Sequence, residues 1–137
     1  MNKKTTKVAK RIYFAHPIFT YNKPIEAELL QKIQARFPDY EILNPKNIKS
    51  HDMIDFYRAI NKCDILVFYG KTIGVLSELY YANRRRMPCK NAETMQPMTA
   101  EERELVFVYY RNSRFAKDDY KKMLRAEASP DEINTSK

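Results

Sequence analysis

Asp64-Ile65-Leu66-Val67-Phe68-Tyr69-Gly70-Lys71-Thr72-Ile73-Gly74-Val75-Leu76-Ser77-Glu78-Leu79 is the stretch that decides the fold. Ile65 to Tyr69 is a continuous apolar run, the pattern of a strand buried on both faces of a parallel sheet. Gly70 ends it. After Gly74, the apolar residues Val75, Leu79 and Ala82 recur at helical spacing. The chain holds only two glycines, and both fall in this turn. A buried strand, a glycine-bounded turn and a helix together make the first half of a βαβ unit.

Outward from this stretch, strands and helices alternate. Arg11 to Ala15 is a short apolar run stopped by His16-Pro17, and reads as the first strand. Helix one starts near Pro24, a favourable first-turn residue. Its buried stripe is Ile25, Leu29, Leu30, Ile33 and Phe37, and Pro38 stops it. Tyr40 to Leu43 is a second strand, closed by Asn44-Pro45. Ser50 or Asp52 caps helix two, whose predicted stripe is Met53, Phe56, Tyr57 and Ile60. Pro88-Cys89 begins a short fourth strand, and Asn91 to Met98 reads as a loop. Thr99-x-x-Glu102 has the form of a capping box, whereas Leu105 to Tyr110 reads as a strand; the two signals conflict. Arg114 to Arg125 is a last helix, before a polar tail over residues 128–137.

This order implies a single α/β domain over residues 1–127. Its expected form is a flavodoxin- or Rossmann-like three-layer sandwich with a mostly parallel sheet of four to five strands. Ligands of such sheets bind beyond the carboxyl ends of the strands, where strand order reverses. The loops after Ala15, Leu43 and Tyr69 should therefore build the site.

Composition narrows the function classes. Twenty-five Lys plus Arg against 17 Asp plus Glu give a net charge of +8, which favours anionic partners: nucleic acid, nucleotides or phosphorylated metabolites. Lys3, Lys4, Lys7, Lys10 and Arg11 place much of that excess in the first eleven positions. Cys63 and Cys89 form no Cys-x-x-Cys pair and are expected to be small buried hydrophobes. No apolar run is long enough for a membrane span, and the basic start is not followed by a signal-type apolar stretch, so a cytoplasmic location is expected.

Glu78 is the leading candidate for chemistry. On a helical wheel it falls within about 60° of the stripe of Val75, Leu79 and Ala82. A carboxylate beside an apolar stripe needs a partner or a purpose; the alternative is a Glu that reaches solvent or pairs with Arg85. Gly74 at the helix start allows close approach of a ligand to backbone, and Ser77 and Lys71 are candidate phosphate contacts. Asn44 either caps or contacts ligand. Thr20, Tyr21 and Asn22 are candidates to line a sugar or base pocket. Arg84-Arg85-Arg86 reads as a helix end favoured by the dipole, or as a nucleic-acid contact.

Three segments, in order, resemble the nucleoside 2-deoxyribosyltransferase-like superfamily, which includes the 2′-deoxynucleoside 5′-monophosphate N-glycosidases. Ile12-Tyr13-Phe14-Ala15-His16-Pro17-Ile18-Phe19 is similar to that family's first strand and loop, I-Y-x-A-G-P-x-F. Ala59 to Val67 resembles its helix end and third strand. Gly74-Val75-Leu76-Ser77-Glu78-Leu79-Tyr80-Tyr81-Ala82 resembles its G-x-x-x-E-[LI]-x-x-A helix. The likeness spans roughly residues 11 to 90 and is nearest to archaeal and viral members.

The resemblance implies that Glu78 is a nucleophile that displaces the base from a deoxyribose and forms a covalent glycosyl-enzyme, which water or a second base resolves. It implies substrate contacts from His16, Pro17, Phe19, Gly74 and Ser77, a homodimer in which a neighbour completes the site, and neither metal nor organic cofactor. The family's acid is an Asp four residues before the position matched by Ile60. That position is Phe56 here, and Asp55 and Asp52 are the nearest carboxyls. His16 stands where the family has Gly. Two further readings stay open beside the enzyme: a non-catalytic nucleotide-binding module and a basic nucleic-acid-binding protein.

Overall fold

In the computed structural model, which describes residues 10–50, 52–114 and 116–128, four strands form one sheet. They are β1 (Arg11–Ala15), β2 (Glu41–Leu43), β3 (Ile65–Phe68) and β4 (Cys89–Asn91). The order is β2-β1-β3-β4 and every pairing is parallel. Ile12 lies opposite Ile42 on one side and Ile65 on the other. The expected parallel sheet is present, with four strands among the described residues.

Five helices cover it: α1 (Pro24–Arg36), α2 (Met53–Asn61), α3 (Ile73–Arg84), α4 (Ala100–Arg111) and α5 (Ala116–Ala128). Alternation along β1 decides which face each helix covers. Ile12 and Phe14 pack with Val67 against Leu29 and Ile33 of α1. Tyr13 and Ala15 face the opposite way, into a larger core with Ile54, Tyr57 and Ile60 of α2 and Val75, Leu76 and Leu79 of α3. Helices α4 and α5 add Val106, Tyr110, Met123 and Ala126 to that second core. The result is a three-layer, flavodoxin-like arrangement.

The conflict after residue 98 resolves towards the helix. Thr99 Oγ1 accepts from Glu102 N at 3.0 Å, and Glu102 Oε1 accepts from Thr99 N at 2.9 Å, so the capping box is complete. Leu105 to Tyr110 is therefore helical and not a strand. Its apolar run is long because α4 buries Val106 and Tyr110 while leaving Leu105, Phe107, Val108 and Tyr109 exposed. In α2 the buried face is Ile54, Tyr57 and Ile60, with Met53 and Phe56 only half-buried. Tyr57 and Ile60 of the expected stripe are buried, and Ile54 and Arg58 join them on a helix that also packs against α5. Ala128 closes α5; the tail beyond it, and the lysines before Lys10, lie outside the described residues. No helix among the described residues is long and apolar enough to cross a membrane.

Candidate functional site

Strand order reverses between β1 and β3, so the chain leaves these two strands towards opposite faces, the place where sheets of this kind open a crevice for ligands. Gly70 holds the loops together. Its φ of +82° lies in the left-handed region, and a Cβ there would come within 2.7 Å of Pro17 Cγ. Only glycine meets both demands. Pro17 is buried against this turn and precedes a short 3₁₀ turn, Ile18–Thr20, which leaves Ile18 and Phe19 77% and 69% exposed. Gly74 sits in the first turn of α3, and no atom lies within 4 Å of where its Cβ would be.

Glu78, in the second turn of α3, is 7% exposed. Tyr13 of β1 donates its hydroxyl hydrogen to Glu78 Oε2 across the core. Burial pushes the Glu78 carboxyl up to about 8, with the Tyr13 hydrogen bond opposing the rise. Burial and the adjacent Glu78 carboxylate in turn push the Tyr13 hydroxyl well above its ordinary range. Tyr21, in the loop after β1, is raised to about 12 by burial, then by Glu78 and Glu26. Its hydroxyl thus lies in the field of both buried carboxyls. Ser77 is 1% exposed, and its Oγ has no hydrogen-bond partner among the described residues.

A second polar cluster fills the space between the carboxyl ends of β1 and β2. His16 donates from Nδ1 to Phe14 O at 2.8 Å, and its Nε2 lies 2.7 Å from Glu26 Oε2. Both ring nitrogens therefore face oxygen acceptors, the Phe14 carbonyl and the Glu26 carboxyl. Glu26, 2% exposed, also accepts from Asn22 N at 2.9 Å, Lys46 Nζ at 3.0 Å and Asn44 Nδ2 at 3.2 Å. Burial works against its charge, but these donors outweigh it and hold the carboxyl at about 2. Asn22 aims its N–H at Glu26 from a left-handed backbone, φ 63°, which Asn tolerates. Asn44 also caps the 3₁₀ turn Pro45–Asn47, accepting from Lys46 N at 3.1 Å.

The expected site residues therefore fall into two groups. Gly74, Ser77 and Glu78 lie on α3, joined to β1 through Tyr13, while Pro17 packs at Gly70 and Phe19 stands exposed on the turn after β1. His16 and Asn44 are bound into the Glu26 cluster. Asp52 is exposed, caps α2 by accepting from Ile54 N at 3.2 Å, and pairs with Lys122 Nζ at 3.1 Å. Partial burial raises its carboxyl, but the Ile54 N–H and Lys122 prevail and hold it below its usual range. A carboxylate so held is a poor proton donor. Asp55, three residues on and in the first turn of α2, is half-buried, and no hydrogen bond joins either Asp to Glu78 among the described residues.

Sequence reasoning passed over Tyr13 and Glu26. Tyr13 carried a usable signal: in a strand buried on both faces, its hydroxyl must find a partner. Glu26 carried only its place in the first turn of α1, which an ordinary dipole-favoured acid would also occupy. Both cysteines are buried and unpaired, and burial first of all lifts each thiol to about 12. Among the described residues, no three His, Cys, Asp or Glu side chains are grouped to hold a metal ion. Compared with protein-family models, with curated proteins and with solved structures, the chain matches none.

Proposed function

We propose that this chain is an enzyme of the N-glycosyl bond of nucleosides or nucleotides, a deoxyribosyltransferase or N-glycosidase, with Glu78 as its nucleophile. The supporting observation is the Tyr13–Glu78 pair: a buried carboxyl with one hydrogen-bond donor, at the strand-order reversal where ligands of this fold bind. The Glu78 carboxylate attacks the anomeric carbon, the bond from that carbon to the base nitrogen breaks, and the base leaves with a proton. Water or a second base then attacks the same carbon and frees Glu78. Asp52 is committed to capping α2 and to Lys122, and we assign the departing base's proton to the other nearby carboxyl, Asp55. The orphan Ser77 hydroxyl and the open first turn of α3 suit an anionic group on the sugar. Location in the cytoplasm and a homodimer that covers Leu105, Val108 and Tyr109 of α4 belong to the same reading.

A second reading has its own support. A carboxyl raised to about 8 is mostly neutral at pH 7, which suits a module that binds a nucleotide without turning it over. One assay separates the two: chromatographic detection of free base from a panel of deoxynucleosides and their 5′-monophosphates, with a second nucleobase in half the reactions. The enzyme predicts base release that rises with pH up to about 8, as Glu78 ionises, and that Glu78→Ala lowers by on the order of 10³-fold or more. Asp55→Asn should slow it by at least about tenfold. A new nucleoside in the supplemented reactions identifies a transferase. Calorimetric binding with no base released identifies the binding module.

A further inference from the structure

At the amino end of β4 and along the side of α3 that faces α4, two cavities adjoin. One, of about 350 Å³, is lined by Arg86, Lys90 and Arg103 with Asn83 and Cys89, and no acid borders it among the described residues. The other, of about 670 Å³, runs between α3 and α4 past Tyr80, Phe107 and Arg84. Asn83 and Arg103 border both, so the two adjoin as one groove, in which Glu104 of the larger part is the only acid among the described lining residues.

Three positive charges around one small cavity repel one another. None of Arg86, Lys90 and Arg103 makes an ion pair with a described residue, whereas neighbouring Arg84 is held bidentately by Glu127 at 3.0 Å. The helix dipole accounts for a cation at the end of α3, but not for Arg103. Arg103 stands in the fourth position of α4, near a helix start, where a positive charge is disfavoured. Arg86 carries a further cost. It adopts φ 60° just past the C-cap of α3, the position that glycine ordinarily fills. Arg86 and Arg103 are exposed and Lys90 is half-buried, so the basic rim of this cavity is open to an anion from solvent. Beside it, the near-parallel rings of Tyr80 and Phe107, 6.0 Å apart and with Phe107 46% exposed, offer an aromatic surface of the kind on which bases stack.

We propose that this groove is a second binding site, independent of Glu78, for a phosphate-bearing nucleotide chain. Phosphate sits among Arg86, Lys90 and Arg103, and a base lies towards Tyr80 and Phe107. The chemistry is shared by a free nucleotide and by single-stranded nucleic acid, and the test separates them.

The probe is a fluorescently labelled 12-nucleotide single-stranded DNA, read by anisotropy with the full chain from low to moderate salt. Unlabelled adenosine monophosphate and pyrophosphate serve as competitors. The expected result is salt-dependent binding that Arg86→Gln/Lys90→Gln/Arg103→Gln weakens at least tenfold, with a shallower salt dependence by about two in log–log slope. Glu78→Gln leaves it unchanged. Competition by the mononucleotide at micromolar concentration identifies a free nucleotide as ligand; competition only by unlabelled strands identifies nucleic acid. Arg86→Gly controls for folding: relief of the left-handed strain should keep or raise the melting temperature while binding weakens. No binding at low salt overturns the proposal. So does binding that the groove variants leave intact but replacement of Lys3, Lys4, Lys7 and Lys10 abolishes, since the charge would then act through the amino-terminal segment alone.

Discussion

Glu26 and Glu78 are both buried carboxyls at the carboxyl end of one sheet, yet their protonation is pushed in opposite directions. Glu26 accepts from His16, Asn22, Lys46 and Asn44 and is held at about 2. Glu78 accepts from Tyr13 and is raised to about 8. Burial penalises the charged form of both; the supply of donors and opposite charge decides the sign. The first environment makes a fixed anion that ties three segments of chain together. The second makes a group that can change its charge near neutral pH, which is what chemistry on a substrate requires.

The largest effect expected from breaking this contrast comes from Glu26. Glu26→Ala leaves Lys46 without its counter-charge and the polar groups of His16, Asn44 and Asn22 without their shared acceptor, and should cost about 3–5 kcal/mol in chemical denaturation. Its linkage has the usual carboxylate sign. The folded value, about 2, lies below the unfolded one, so the stability it supplies is present above about pH 4.5 and is lost as pH falls towards 2. A flat acid limb in the wild-type stability profile would argue against the cluster.

Glu78 should behave in the reverse sense. Its folded value lies above 4.5, so the folded state binds the extra proton, and stability falls as pH rises from about 4.5 to about 8. Glu78→Gln removes that loss. The variant should match the wild type near pH 4 and exceed it by about 3 kcal/mol at pH 7. Parallel denaturation at the two pH values checks this, and equal differences at both would mean that Glu78 is not the group that titrates.

The smallest change sharpens the same point. Tyr13→Phe takes away the donor that favours the Glu78 carboxylate. The pH dependence of base release, or of nucleotide binding if no base is released, should move upward by about one unit. An unmoved profile would show that the Tyr13 hydrogen bond does not bias Glu78.

Much of the frame was legible beforehand because it rests on local patterns. The run Ile65 to Phe68, the stops at His16-Pro17 and Asn44-Pro45, and the spacing of Leu29 and Ile33 each report burial over a few residues. Glu78 stood out because a charge beside an apolar stripe violates that pattern. The capping box at Thr99 was legible too, and prevailed over the strand reading of Leu105 to Tyr110, because periodicity alone does not separate a short apolar run in a strand from one in a helix.

What the sequence by itself determined is therefore the alternation of buried strand and covering helix, and the position of one misplaced carboxyl. Only the tertiary structure decided that Tyr13 meets Glu78 across 65 residues of chain, that Glu26 gathers donors from three segments, and that Arg103 joins Arg86 and Lys90 around one cavity. The physical reason is one of range. Hydrophobic periodicity is written in neighbouring residues, whereas the charge state of a buried group depends on which distant donors the fold brings to it.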